Sequence, residues 1–163
     1  MERFDEQYFL DFVKNLFYKF RLSCIFNATP LTGITALPIV RIDLRKNPDV
    51  TYAKRVGVLI YNAMHTAIGV PEHDNFQILT EHDEHHFIYD PEYLGIQRSD
   101  NLVIIQITLN EGRSTEQKKL LYKTIAESLN RELAVRLEDV FISLVEVKKE
   151  NWSFGNGIAQ YAS

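Results

Sequence analysis

The chain has 163 residues, 45% of them hydrophobic and 25% charged, with a net charge of −4. This is globular composition, and a chain of this length buries about 70% of its unfolded surface, enough for one well-packed domain. The acidic balance excludes a general attraction to nucleic acid, the single cysteine, Cys24, excludes an internal disulfide and fits a reducing cytoplasm, and no apolar run reaches the ~20 residues that span a bilayer.

Along residues 4–22, Phe4, Tyr8, Phe12, Leu16 and Phe20 recur every fourth position, with Phe9, Val13 and Phe17 beside them. The spacing predicts a helix with a broad aromatic face. Asp11, Lys14, Asn15 and Lys19 interrupt its apolar residues, so it lacks the clean apolar core of a secretory signal. The mixed sign of those polar residues suits docking on a protein surface better than on an anionic membrane. Residues 23–36, with Asn27, Pro30, Gly33 and several threonines, have linker composition. The expected division is an N-terminal extension over 1–36 and a folded domain over 37–163.

From residue 37 the chain repeats itself with a shift of 65 and no gap. Leu37, Ile39, Ile42 and Leu44 match Leu102, Ile104, Ile107 and Leu109. Val56, Ile60, Met64 and Ile68 match Leu121, Ile125, Leu129 and Leu133. Val70, Asp74, Phe76, Leu79 and Glu81 match Val135, Asp139, Phe141, Leu144 and Glu146. Shared identities together with shared periodicity mark an internal repeat.

Each copy reads strand, helix, strand. Residues 39–44 and 102–109 are short β-branched runs suited to buried strands. Residues 49–68 and 114–133 carry apolar residues at intervals of three and four, and Ser114 with Gln117 forms a capping-box pattern at the second helix. Residues 76–81 and 140–147 are strands again. The crossover makes the strands of each unit parallel. The fold class is therefore α/β (α+β): two tandem β-α-β units forming a four-stranded sheet with two helices on one face, plus the N-terminal helical extension. The opposite face is left apolar and open, a surface that calls for an oligomer.

The segments LPIVRIDL (37–44), GVPEHDNFQILTEHD (69–83), GIQRSDNLVIIQITL (95–109), GRSTEQK (112–118) and ENWSFGNGIAQY (150–161) resemble the tautomerase superfamily. Within it, the subgroup they resemble is the one close to malonate semialdehyde decarboxylase. The resemblance runs from Pro38 to the end of the chain. It implies two β-α-β units, a homotrimer, no metal or other cofactor, and a small keto/enol acid as substrate.

The superfamily's defining device is an amino-terminal proline whose secondary amine is general base or general acid. An α-amino group titrates near ~8, and an apolar, cationic pocket lowers that value into the range useful at neutral pH. The matching residue is Pro38, which stands opposite Val103 in the repeat and, read without the resemblance, is a proline opening a strand. Thirty-seven residues precede Pro38, and an internal proline nitrogen is a tertiary amide without basicity. Three readings follow: translation starting at Leu37, proteolytic removal of residues 1–37, or a retained extension on a non-catalytic oligomeric binding module.

The resemblance also assigns further site residues. Asp74 matches a carboxylate that orients or tunes the amine or a water; its repeat counterpart Asp139 leaves a shared structural role equally open. Arg113 matches the second of two arginines in the decarboxylase pattern, where Glu111 replaces the first. A lone guanidinium still binds a carboxylate in bidentate fashion; its missing neighbour weakens the case for a β-keto acid decarboxylase and leaves carboxylated enol or keto substrates open, with decarboxylation or hydration as a secondary possibility. Arg98 matches a recurrent position, either facing the pocket or holding its loop, and Arg41 is read as structural. Trp152 and Phe154, with Tyr161, match an apolar wall around the proline. His82, Asp83, Glu84, His85 and His86 have the chemistry of metal ligands but no fixed ligand spacing, and read as a solvated loop.

Overall fold

A computed structural model describes residues 38–162 of the chain. The expected helix 4–22, the linker 23–36 with Cys24, and Leu37 lie outside the described residues.

Two β-α-β units follow one another. The first is β1 (Ile39–Arg45), α1 (Tyr52–Ile68) and β2 (Phe76–His82); the second is β3 (Val103–Asn110), α2 (Thr115–Leu133) and β4 (Val140–Val147). The sheet order is β2-β1-β3-β4. Within each unit the strands are parallel, and the units join through the antiparallel pair β1–β3. Arg41 faces Gln106 across that junction. The same two residues are repeat counterparts, so the pseudo-twofold axis passes through this pair.

Strand alternation divides the sheet into two faces. Val40, Ile42 and Leu44 of β1 and Val103, Ile105, Ile107 and Leu109 of β3 are buried. They meet Val56, Ile60 and Met64 of α1 and Leu121, Ile125 and Leu129 of α2, which are wholly buried. Truncating one of these side chains, Ile60→Ala for instance, removes about 2–5 kcal/mol. Gln77 turns the same way, and its Nε2 donates to the Gly57 carbonyl at 2.9 Å. A Cβ at Gly57 would lie against the Gln77 amide, so a side chain there would displace Gln77 from this hydrogen bond.

The opposite face carries Phe76 and Phe141, repeat counterparts that are 57% and 43% exposed, with Ile78 and Val145 also exposed. Its centre is polar, occupied by Arg41 and Gln106. The open face expected from the repeat is present; its most exposed apolar side chains lie on the two edge strands, with Ile39 and Ile104 half-buried on the central pair.

Both helices end alike. Gly69 and Ala134 adopt left-handed φ values of 69° and 54°, and their N–H groups donate to the His65 and Asn130 carbonyls. This is the C-terminal cap that satisfies the last carbonyls. At the start of α2, Gln117 N donates to Ser114 Oγ at 3.2 Å and Ser114 N donates to Gln117 Oε1 at 2.9 Å, the reciprocal cap expected from the sequence.

His82 is the last residue of β2 instead of a loop residue. Its Nε2 lies 2.7 Å from Asp43 Oδ1 and its ring stacks on Phe87. Asp83 instead caps the following turn, accepting from His85 N and His86 N. Among the described residues, no group of three or more His, Cys, Asp or Glu is arranged to hold a metal ion, and no helix is long and apolar enough to cross a membrane.

Candidate active site

Strand register brings the site together at one end of the sheet. Ile39 pairs with Phe76 on one side and Thr108 on the other. Pro38, buried just before Ile39, is therefore flanked by Asp74, two residues ahead of Phe76, and by Asn110, two residues beyond Thr108. Arg113 and the turn into α2 follow at the same end.

Asp74 is 8% exposed, and its Oδ1 is buried without a hydrogen-bond partner. Burial raises its pKa to about 6, because a desolvated carboxylate disfavours its charge. The carboxyl group thus titrates close to neutrality, where proton-handling groups are most effective.

Arg113 is 6% exposed. Gly112, at φ 113°, turns the chain out of β3. The guanidinium then folds back, and Nη1 donates to the Asn110 carbonyl at 2.7 Å. Nη2 is buried with no partner. Desolvation lowers the Arg113 pKa and the nearby Glu146 carboxylate partly offsets this, yet a guanidinium keeps its charge throughout the physiological range. A buried cation with a donor not used within the chain is costly in isolation. Glu111, where the decarboxylase pattern has its other arginine, is exposed.

The residues expected to form the wall lie in the C-terminal segment. Trp152 Nε1 donates to Asn110 Oδ1 at 2.7 Å. Its ring stacks on Phe154 at 5.5 Å, and Tyr161 meets Phe154 edge-on at 5.0 Å. Phe154 N donates to Gln160 Oε1, and Gln160 Nε2 donates back to the Gly155 carbonyl. This clasp folds the tail so that Tyr161 returns to the aromatic stack. All three expected wall residues therefore form one cluster.

Arg98 lies elsewhere. It sits in the connection that enters β3 beside Leu44, at the far end of β1. Its Nη1 donates to the Tyr93 and Ile96 carbonyls at 3.0 and 3.4 Å. Within one chain it braces its own loop and is not brought to Pro38.

Asn110 is the residue that the sequence reading missed. It is 1% exposed; its side chain anchors Trp152 and its carbonyl anchors Arg113, so one buried position aligns both wall and cation. An asparagine at a strand end gives no signal in sequence, since its two partners come from separate downstream segments.

Two fused β-α-β units thus place a proline, a desolvated carboxyl group and a buried guanidinium at one end of the sheet. The comparisons agree. Residues 74–155 match the family profile described as tautomerase enzyme. The chain is 44% identical to the probable tautomerase YusQ of Bacillus subtilis over 124 residues, covering 76% of this chain and 98% of that protein. It is 35% identical to the probable tautomerase YrdN of the same organism, covering 77% of this chain and 96% of that one. Among solved structures, FG41 malonate semialdehyde decarboxylase superposes with a TM-score of 0.70 at 36% identity, covering 76% of this chain and 93% of that chain. This chain belongs to the tautomerase family. The expected fold, two β-α-β units under two helices, is the fold it has.

Proposed function

We propose that the form of this protein beginning at Pro38 catalyses keto–enol tautomerisation of a small carboxylated substrate. The observation carrying this reading is Arg113: a buried guanidinium with an unfilled donor, at the same end of the sheet as Pro38 and the desolvated Asp74. Arg113 grips the substrate carboxylate and stabilises the negative charge that develops on the enolate oxygen. The Pro38 amine takes the enol hydroxyl proton, and the resulting ammonium returns a proton to carbon. Asp74 orients the amine or a water. Trp152, Phe154 and Tyr161 exclude solvent.

The unmatched part of the chain favours an active form shorter than the whole. The alignment with YusQ takes in nearly all of that protein but only 124 residues, 76%, of this chain, about the length of the segment from Pro38 to Ser163. Proteins of similar fold include a fused 4-OT described as a symmetric trimer. A homotrimer of this chain would cover Phe76, Ile78, Phe141 and Val145 on the open face. A cytoplasmic site fits a chain with one cysteine.

The test is to prepare protein beginning at Pro38 and protein beginning at Met1, and to follow phenylpyruvate enol–keto conversion by absorbance. Activity in the short form alone is the expected result. Equal activity in both would exclude the amine, because the Pro38 nitrogen of the long form is an amide; inactivity of both would favour the non-catalytic binding module. The likeness to malonate semialdehyde decarboxylase at 30% and 36% identity favours decarboxylation or hydration as a second reading. Carbon dioxide release from malonate semialdehyde by the short form separates it.

A further inference from the structure

The turn that carries Asp74 is fastened to α1 at two points, and the internal repeat distinguishes them. One fastening is common to both halves. His65 Nδ1 lies 2.7 Å from the Val70 carbonyl oxygen, and Asn130 Nδ2 donates to the Val135 carbonyl at 2.9 Å. Residues 65 and 130 are repeat counterparts, as are 70 and 135.

The other fastening belongs to the first half. The Tyr61 hydroxyl donates to the Pro71 carbonyl at 3.2 Å and accepts from His73 N at 3.2 Å. The counterpart of Tyr61 is Ala126, which has no polar group. Both turns nevertheless close in the same way: Asp74 N donates to the Pro71 carbonyl at 3.3 Å, and Asp139 N to the Arg136 carbonyl at 3.0 Å. The 136–139 turn shows that this closure does not need a phenol.

The two turns differ at the residue before the carboxylate. His73 has a φ of 68°, while its counterpart Glu138 is not among the residues with positive φ. A non-glycine residue in the left-handed region costs about 1–2 kcal/mol, and such strain persists only where the surroundings enforce it. Tyr61 holds the His73 N–H, so its hydroxyl sits where that enforcement is needed.

We infer that Tyr61 is a positioning residue for Asp74: its hydroxyl clamps the Pro71–His73 turn to α1 and keeps the Asp74 carboxyl group buried and unpartnered beside the start of β1. The inference rests on the role given to Asp74 above. Tyr61 acts through two backbone groups and does not touch substrate. The titratable and charged groups around it are Glu72 and His73 on the turn, Tyr61 and His65 on α1, Arg113 at the same end of the sheet and, in protein beginning at Pro38, the Pro38 amine, which is common to the parent and every variant compared below. None of these side chains displaces the Asp74 acidity, which burial alone accounts for. Without the clamp, His73 relaxes, the turn opens to water and the carboxyl group is hydrated.

The experiment uses protein beginning at Pro38. Carboxyl ¹³C NMR follows the titration of Asp74, assigned with Asp74→Asn, in the parent, Tyr61→Phe and His65→Asn. Phenylpyruvate ketonisation is measured on the same samples. In Tyr61→Phe the Asp74 midpoint is expected to fall by about one pH unit, a tenfold change in proton affinity. Its kcat should fall about tenfold, with KM changed less than about twofold, as for a group that acts on the chemical step. His65→Asn, which copies the fastening of the second half, should leave the midpoint in place. An unchanged midpoint in folded Tyr61→Phe, or an equal fall in both variants, overturns the inference. Full activity in Asp74→Asn alongside a moved midpoint in Tyr61→Phe upholds the clamp and removes Asp74 from the chemistry instead.

Discussion

In the first half of the molecule the carboxylate ahead of the second strand, Asp74, has a buried oxygen with no partner. In the second half the equivalent Asp139 is fully buried and accepts from Ser99 N at 2.6 Å and Ser99 Oγ at 2.7 Å, with Arg136 at 3.9 Å. The same residue type at the same place in the same supersecondary unit thus does opposite work. Asp139 ties the loop ahead of β3 to the sheet. Asp74 has been relieved of any such tie and left with perturbed acidity. A perturbed carboxyl group in a desolvated site is a mark of function, and a satisfied one is a mark of structure. The contrast extends to neighbours: Pro38 stands opposite Val103, and Arg113 opposite Pro48.

The comparison can be broken at several points. The largest effect is expected from Arg113→Ala, which removes a buried cation whose counterpart in the other half is Pro48. In protein beginning at Pro38, kcat/KM should drop about 10²–10³-fold, or about 3–4 kcal/mol of transition-state binding. Urea unfolding should show a smaller effect, a loss of about 1–2 kcal/mol, because the Nη1 bond to the Asn110 carbonyl is lost while the unpartnered Nη2 donor is removed with the side chain. Next comes Asp139→Ala, expected to lower unfolding free energy by about 2–4 kcal/mol, since it strips a buried donor pair of its acceptor. Soluble Asp139→Ala protein should retain its turnover. Loss of turnover with full stability would reverse the roles of the two aspartates.

Asp74→Asn should act in the opposite sense on stability. The folded Asp74 titrates at about 6, against about 3.9 in an unfolded chain. Between those values the native state holds the extra proton, so stability is fully present below pH ~4 and declines as pH rises through about 6. The cumulative decline is up to about 3 kcal/mol. Asp74→Asn should flatten this slope in urea unfolding measured from pH 4 to 8, and be the more stable protein at the upper end. A parent whose stability does not decline over that range would show that Asp74 is not desolvated. The smallest effect is expected at the helix ends. Ala134→Gly should stabilise by about 0.5–1 kcal/mol, because alanine is strained where its counterpart Gly69 is not; calorimetric Tm reads this directly.

Most of the fold was legible because the repeat doubled every signal. Among the described residues, the four strands and two α-helices were expected to within three residues of their observed bounds, and the capping box was read from Ser114 and Gln117 alone. The site was legible only in part. Trp152, Phe154 and Tyr161 lie close in sequence, and their clustering needs only one turn of chain. Asp74 and Asp139 could not be told apart, because the difference lies in Ser99, forty residues from its acceptor. Within one chain Arg98 holds its own loop, the second of the two roles the sequence left open, because β1 and β3 run antiparallel and a residue just before β3 sits at the end opposite Pro38. Asn110 and Tyr61 were invisible because their roles consist of hydrogen bonds to residues whose positions only the folded chain defines.

The meeting of Arg41 and Gln106 on the pseudo-twofold axis has a consequence for how two such units can come to share one chain. In a pair of identical halves, whatever residue lies on the axis must face itself, so an arginine there would confront an arginine across the central strand pair. Joining the halves covalently lifts that restriction, since each position can then change alone. The axis is where a duplicated sheet profits first from divergence, and a charged residue facing a neutral amide there is a trace of that freedom.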